Sequence, residues 1–499
     1  MSSEESTHLD ANKVGLVPTL FQSITTIAPA GGAASGLLFT TVYAGGSTPL
    51  TILVAMVAIV LVAITIGQLS RHLPSAGGLY TYVTHGVGTN LGFLTGWGMI
   101  MGYAFIPILY WGFFGLLISN EFSGAPSWLW APIAAAAALA IGILAYRGVG
   151  ISTKAGVILG GVEMIIFVVL AFTLIGNAGS SNTLSVFGAH VGNEHGLGSV
   201  VAGMIYTVLA FIGFEAAAPI AEESNHPRRN VPLAIIGSAI GVGVFYLLVY
   251  YAAAVYVGPE HMSGFSEING GDPFRELGNH VWSGAGILVL FAVLNSVLAC
   301  CNGSTLAGSR MGFALARIGI LPRFLSKVHP RYETPTAAIV LLILSTLTIG
   351  IVVGFITSGP LDVFAIFGTA LTIVFIPIYV ITSLASGGYF WRERRSEFNA
   401  LLHLVIPILV AVIFIPVEVA SFGIDFAGLG IAPLAYPAKT GIWIALGWMV
   451  FGLVYLLYLR SRDPESVAAL GSVFIDDDPP DEPVPAVALP TTAQGGTSV

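Results

Sequence analysis

Two carboxyls stand where carboxyls are costly. Glu163 and Glu215 lie deep inside long apolar runs, and a charge near the centre of a bilayer costs about 2.5 to 3.5 kcal/mol on insertion scales, so an acid retained there points to a function. Glu163 is nine residues beyond Lys154, roughly 13.5 Å along a helix, which puts it near the middle of its run. Three roles are open to it: gaining and losing a proton during a cycle, making static hydrogen bonds, or holding sodium. Glu215 directly follows a helix-breaking run, and its expected role is to brace that segment by accepting backbone N–H bonds.

The backbone itself is the second source of chemistry. The runs Ile27-Ala28-Pro29-Ala30-Gly31-Gly32 and Phe211-Ile212-Gly213-Phe214-Glu215, the latter followed by Pro219, each interrupt an apolar stretch. Proline removes a donor and clashes with the preceding turn, and each glycine costs about 1 kcal/mol relative to alanine, so both runs are predicted to unwind. An opened helix offers free N–H groups with partial positive charge at one end and free carbonyls at the other. Such a pair can hold a small dipolar solute. This reading puts the negative end of such a solute at the N–H groups of Gly31, Gly32 and Ala33, and its positive end on carbonyls near Ile27, Phe211 and Ile212. Small residues such as Ala28, Ala30 and Gly213 let a ligand approach. Phe211 and Phe214 either cover it or pack in the core. Opened backbone at membrane depth is tolerable only where it faces a cavity.

Weaker candidates surround these. Asn295, Ser296, Asn302 and Ser304 give one run several hydrogen-bonding groups, and Tyr103 is expected to point inward. Asn295 is the coupling or gating candidate among them. Glu222-Glu223 with Arg228-Arg229 form a cluster whose ion pairs with Arg71 or Arg310 open and close with a gate, unless the loop is simply solvated.

The elements that position these residues follow from composition. Of 499 residues 55% are hydrophobic and 9% charged, with a mean hydropathy of +0.87, so a soluble globular protein is excluded. Twelve apolar runs are long enough to cross a bilayer, at about 15–43, 49–69, 90–119, 127–146, 155–176, 199–221, 232–257, 283–308, 335–357, 361–386, 400–420 and 441–459. They are too long and too weakly alternating for barrel strands, so the fold expected is an all-α integral membrane protein. With the N-terminus inside, 16 of the 18 Lys and Arg residues face the cytoplasm and only Arg275 and Lys439 lie outside, as retention of basic loops requires. Both termini are then cytoplasmic and the protein sits in the cell membrane. The polar start argues against a cleaved leader, and residues 461–499, rich in Asp and Pro, are expected to be a disordered acidic tail. Much of the net charge of −8 resides in the tails.

Several function classes lack support. Cys300 and Cys301 are adjacent in an apolar run, so neither a disulfide framework nor a zinc site is expected, and both are assigned to packing. His190, Glu194 and His195 lack a third ligand, so no metal, cofactor or enzymatic chemistry is called for. Basic residues spread over loops give no nucleic-acid surface. A channel would need a ring of like residues or a filter repeat, and neither is visible. Glycine pairs four apart (32/36, 92/96, 98/102, 156/160 and 237/241) read as packing faces.

A family resemblance rests on three stretches. They are Gln68-Leu69-Ser70-Arg71-His72-Leu73-Pro74-Ser75-Ala76-Gly77-Gly78-Leu79-Tyr80, then Gly213-Phe214-Glu215 continuing to Asn225-His226-Pro227-Arg228-Arg229-Asn230-Val231-Pro232, and Ser309-Arg310-Met311 through Gly319-Ile320-Leu321-Pro322. Together they resemble the amino acid, polyamine and organocation permeases over about 15–460. The resemblance implies the inverted repeat of five plus five helices shared with the leucine transporter: 1–14 a tail, 15–176 the first repeat, 199–386 the second, 387–460 two further helices, and 461–499 the acidic tail. It also implies a carrier working by alternating access, with an amino acid or related amine as cargo and a proton, or sodium, as coupling ion. Some proton-coupled members carry a titratable lysine on the fifth span, beside the first; Glu163 occupies a similar place with opposite charge. The usual Gly-Ser-Gly break is replaced here by Ala28-Pro29-Ala30-Gly31-Gly32.

Overall fold

The computed structural model describes residues 14–75, 77–431 and 433–468. The tails at 1–13 and 469–499, and the side chains of Lys154 and Glu222, lie outside the described residues. Sixteen α-helices carry the chain: α1 Leu16–Ile27, α2 Pro29–Ala44, α3 Thr48–His72, α4 Leu79–Gly86, α5 Thr89–Ser119, α6 Trp130–Tyr146, α7 Val149–Asn177, α8 Leu197–Phe211, α9 Pro227–Val257, α10 Pro273–Val281, α11 Ile287–Arg317, α12 Thr336–Ile356, α13 Pro360–Arg392, α14 Ile406–Ser421, α15 Thr440–Arg462 and α16 Pro464–Ala468. Among the described residues nine helical segments are long and apolar enough to cross a membrane, the first running Leu16–His72, and Trp130–Tyr146 and Leu197–Phe211 are shorter apolar helices. Helices satisfy their own backbone groups, the only economical solution in hydrocarbon.

Helices α2, α5, α8, α11 and α13 pack together at the centre, while α7, α12 and α15 turn large apolar faces outward. Small residues set the close approaches. Gly98 and Gly102 of α5 lie against Ile378 and Phe375 of α13, and Gly156 of α7 against Thr25 of α1. Of the five glycine pairs, only 237/241 contains a position, Gly241, with open space beside it. Two short helices were not anticipated. α4 is buried on nearly all sides between α5 and α13, and α10 follows a 3-10 segment over Pro259–Gly271. Both are too short for an apolar run to announce.

The end bearing Arg71, Arg228 and Arg310 is called the basic end. At the opposite end, Pro259–Gly271 packs over the end of α2 and is pinned by a two-pronged ion pair, in which Arg275 Nε and Nη2 each lie 2.6 Å from a Glu121 carboxylate oxygen. Asp272 caps α10 through the Arg275 N–H at 3.4 Å. Burial pushes its carboxyl up to about 6, against the opposing pull of Arg275. An acid that holds its proton more tightly folded than unfolded stabilises fully below about pH 4, and that gain is lost as the pH rises through about 6. Wild-type thermal unfolding in detergent should therefore lose stability over this window, by at most about 3 kcal/mol, and Asp272→Asn, which keeps the cap, should flatten the slope. An unchanged slope in the variant would exclude Asp272 as its source.

Candidate functional site

Proline decides the first break. Pro29 has no N–H to give Thr25, and the residue before a proline is disfavoured in the right-handed helical region. Ala28 turns left-handed, with φ 58° and ψ 73°, a conformation costing roughly 1–2 kcal/mol for a residue with a β-carbon. The helix resumes at once, so the break is one residue deep. The expectation of unwinding through Gly32 is corrected: Pro29 is the preorganised first residue of α2, and Ala30 to Ala33 are helical.

The interruption frees the carbonyls of Thr25, Thr26 and Ile27 and the N–H groups of Ala30 and Gly31. The protein meets most of them itself. The Ala28 N–H reaches Thr25 O at 3.3 Å, Cys300 Sγ donates to Thr26 O at 2.8 Å, and the Tyr246 hydroxyl lies 3.5 Å from Ile27 O. The Ala30 N–H faces the Glu163 carboxylate. Gly32 and Ala33 are unavailable to a ligand carboxylate, because the Gly32 N–H is bonded to Ala28 O at 2.5 Å and the Ala33 N–H continues the helix.

The second break is wider. α8 ends at Phe211, Gly213 takes φ 117°, and turns run to a 3-10 helix over Ala218–Glu223. Only glycine adopts that φ without strain. Glu215 Oε2 accepts from the Gly213 N–H at 3.2 Å and from the Tyr379 hydroxyl at 3.1 Å. Tyr103, fully buried, faces the same carboxylate, although neither its hydroxyl nor Oε1 makes a well-aligned bond.

The two breaks meet. A β-carbon on Gly213 would stand 2.9 Å from the carbonyl carbon of Thr26 and 3.0 Å from its oxygen. The Ala217 N–H donates to Ser23 Oγ at 3.1 Å. Tyr246 links the breaks, since its hydroxyl donates to Ala210 O at 2.9 Å while facing Ile27 O. Beside this junction lies a cavity of about 20 Å³, enough for a water and no larger solute. Ile27 and Ile212 line it, with Thr26, Ala210, Tyr110 and Cys300.

Several candidates fall elsewhere. Phe211 is buried edge-on against Tyr246 with centroids 5.3 Å apart, and Phe214 packs on Tyr379 at the same distance; neither lines the cavity. Gly31 and Gly32 back onto Val297 and the Tyr246 hydroxyl, so these glycines admit neighbouring helices. Asn295 and Glu163 are brought together: Oε2 accepts from Asn295 Nδ2 at 2.6 Å and Oε1 from Ser296 Oγ at 2.7 Å. Sequence reasoning missed Cys300 as a cavity residue. It also missed Glu418, a half-buried carboxyl of α14, because that residue stood at the edge of its run. Of the neighbours of the second break, Tyr103 was singled out, while Tyr246 of α9 and Tyr379 of α13 carried no local signal.

Both ends of the cavity are closed. Toward the opposite end, Phe39 stacks on Tyr206 at 5.1 Å and on Phe364 at 5.0 Å. Toward the basic end, Arg310 and Glu223 form a buried ion pair of 2.5 Å, and Val14 bridges to Glu223 and Asn225 through two backbone bonds of 3.0 Å. Of the partners considered for this cluster, Arg310 is the one engaged, while Arg71 is exposed.

Buried helices of spanning length around two facing breaks define a multi-pass membrane protein. The chain belongs to the amino acid permease family, whose profile matches residues 19–462. It is similar to the low-affinity putrescine importer PlaP of Escherichia coli, 25% identical over 417 residues covering 79% of this chain and 87% of the relative. It is 28% identical to the methylthioribose transporter of Bacillus subtilis over 451 residues, 85% and 88% of the two chains. The serine/threonine exchanger SteT of Bacillus subtilis is 27% identical over 367 residues, 69% and 76%. These relatives are transporters, and the chain is a transporter, not an enzyme.

The Gly32 contact yields a test. A methyl at this position collides with the Tyr246 hydroxyl, whereas the ring carbon behind that hydroxyl is 3.2 Å away. Gly32→Ala should destabilise by about 1–3 kcal/mol, and Tyr246→Phe added to it should recover a large part. Strict additivity of the two losses in detergent unfolding would contradict this packing.

Proposed function

We propose that the chain is a secondary transporter that moves an amino acid or amine across the cytoplasmic membrane by alternating access, coupled to protons through Glu163. The observation that carries the reading is the junction of Gly213 with Thr26: two helix interruptions meet at a small cavity closed at both ends. Alternating access then consists of opening either the Phe39, Tyr206 and Phe364 stack or the Arg310 to Glu223 pair while the other holds, with the broken helices rocking around the site.

The twelve-span count, the repeats at 15–176 and 199–386, and the added helices at 387–460 form part of this proposal. They are supported by packing that maps onto itself when the halves are exchanged. α1 packs on α9 as α8 packs on α3, and α5 packs on α13 as α11 packs on α7. The short α4 and α10 occupy corresponding connections. Cytoplasmic termini are supported by the 16 to 2 division of basic residues.

Cargo recognition differs from the simplest zwitterion site. The first break retains few free donors because Glu163 faces the Ala30 N–H, and this favours a cargo held chiefly through its amine. The carbonyls of Thr26, Ile27 and Ala210 become its acceptors once Cys300 and Tyr246 turn aside. Glu163 then has two tasks: its ionised form occupies a helix N-terminus, where negative charge is stabilised, and protonation releases that contact. Glu215 holds the second break in shape.

Uptake into proteoliposomes separates the parts of this reading. Labelled amines and amino acids, including putrescine, γ-aminobutyrate and serine, are tested under imposed pH and sodium gradients in turn. Saturable uptake of at least one, driven by the inward proton gradient, is expected, and Glu163→Gln should abolish the drive while leaving exchange. Full proton-driven accumulation by Glu163→Gln would remove the coupling role, and no uptake of any amine or amino acid would remove the cargo assignment.

A further inference from the structure

Glu163 is closed off on most sides. Ser296 and the Ala30 N–H cover its carboxylate, and the titratable groups facing it among the described residues are the Cys300 thiol of α11 and the Tyr246 hydroxyl of α9. Asn295 is the exception. It is half-buried, donates from Nδ2 to both Glu163 Oε2 and Leu159 O, and lines a second cavity.

This cavity, of about 170 Å³, lies between α1, α6, α7 and α11, with Ile141 and Leu144 of α6 on its apolar side, and has room for several waters. Asn295, Leu298, Ala299 and Asn302 line it from α11, and Gly156 and Leu159 from α7. Intervals of three, four and seven are the spacing of one helix face. The two faces therefore bound a crevice that runs two turns, about 10 Å, from Asn295 toward the basic end. Gln22 and Thr25 complete its polar side. Asn302, more than nine-tenths buried, presents an Oδ1 without a hydrogen-bond partner. An unpaired buried amide oxygen costs about 1–3 kcal/mol, and a rotation of the Asn302 side chain toward the crevice would let water offset it.

We propose that this crevice is the aqueous path by which protons reach and leave Glu163 from the basic end. The proposal rests on Glu163 being the coupling carboxyl. A hydronium at the Asn295 end gives one proton to Glu163 Oε2 and remains as water, and the Asn295 Nδ2 donor turns away as Oε2 becomes a hydroxyl. The reverse step returns the proton to a crevice water. Gln22 and Asn302 hold the water chain in line and take no proton themselves.

Ala299 lies on the crevice wall and in no other part of the site, so filling it tests the path. Proteoliposomes carry the wild type, Ala299→Phe, Ala299→Cys before and after a charged thiol reagent, and Glu163→Gln; the labelled probe is whichever of putrescine, γ-aminobutyrate or serine the wild type moves. Accumulation driven by a pH gradient is compared with exchange between equal internal and external substrate, which needs no net proton release. Ala299→Phe and labelled Ala299→Cys should lose gradient-driven accumulation by about tenfold or more, with exchange unchanged, and unlabelled Ala299→Cys should behave as wild type. Equal loss of both activities on labelling, or no loss of either, would overturn the crevice as the path. Proton-driven accumulation retained by Glu163→Gln would instead overturn the coupling role on which it rests.

Discussion

A backbone group freed inside a bilayer must find a partner within the protein, and that single requirement organises the rest of this structure. Pro29 forces an interruption in one helix and Gly213 permits one in another. The freed carbonyls and N–H groups cannot turn to lipid. They turn to each other's neighbourhood, where Cys300, Tyr246, Ser23 and Glu163 meet them. The polar backbone groups freed at the two breaks are thus bonded to side chains of the surrounding helices. Family membership says what class of protein this is; the borrowed bonds say how such a protein stays folded between cargoes.

The same requirement explains the distribution of small and aromatic residues. Gly32 and Gly36 bring the Tyr246 and Tyr250 hydroxyls close to α2, and Gly31 brings α11 close to the break. A hydroxyl arriving from α9 reaches the Ala210 carbonyl only because no side chain stands in its way. Stacked rings lie at one end of the junction, and a buried guanidinium and carboxylate at the other. Removing one partner from a buried ion pair costs far more than separating an exposed one, so Arg310 and Glu223 depend on each other to stay buried.

Much of this was legible before any coordinates. Apolar run length gave helices of the right class. Pro29 and Gly213 marked both breaks, and Glu163 and Asn295, which are 132 residues apart, were each singled out and do touch. What was misread has physical causes. A proline at the first position of a helix restarts it as readily as it stops it, so the first break shrank to Ala28. Glycines selected for helix approach look in sequence like glycines selected for ligand approach. Phe211 and Phe214 had only aromatic character to recommend them, and packing claimed both. Cys300 and Tyr246 were illegible as site residues because their importance lies in which distant carbonyl they reach.

The facing of the two breaks is tested most directly by cross-linking Ser23→Cys with Ala217→Cys in native membranes. Ser23 Oγ and the Ala217 N–H are 3.1 Å apart, so mild oxidation should join this pair, stop transport, and release it on reduction, with neither single variant affected. A pair that stays unjoined in an active, folded transporter would mean that the interruptions do not face each other, and the account would fail at its base.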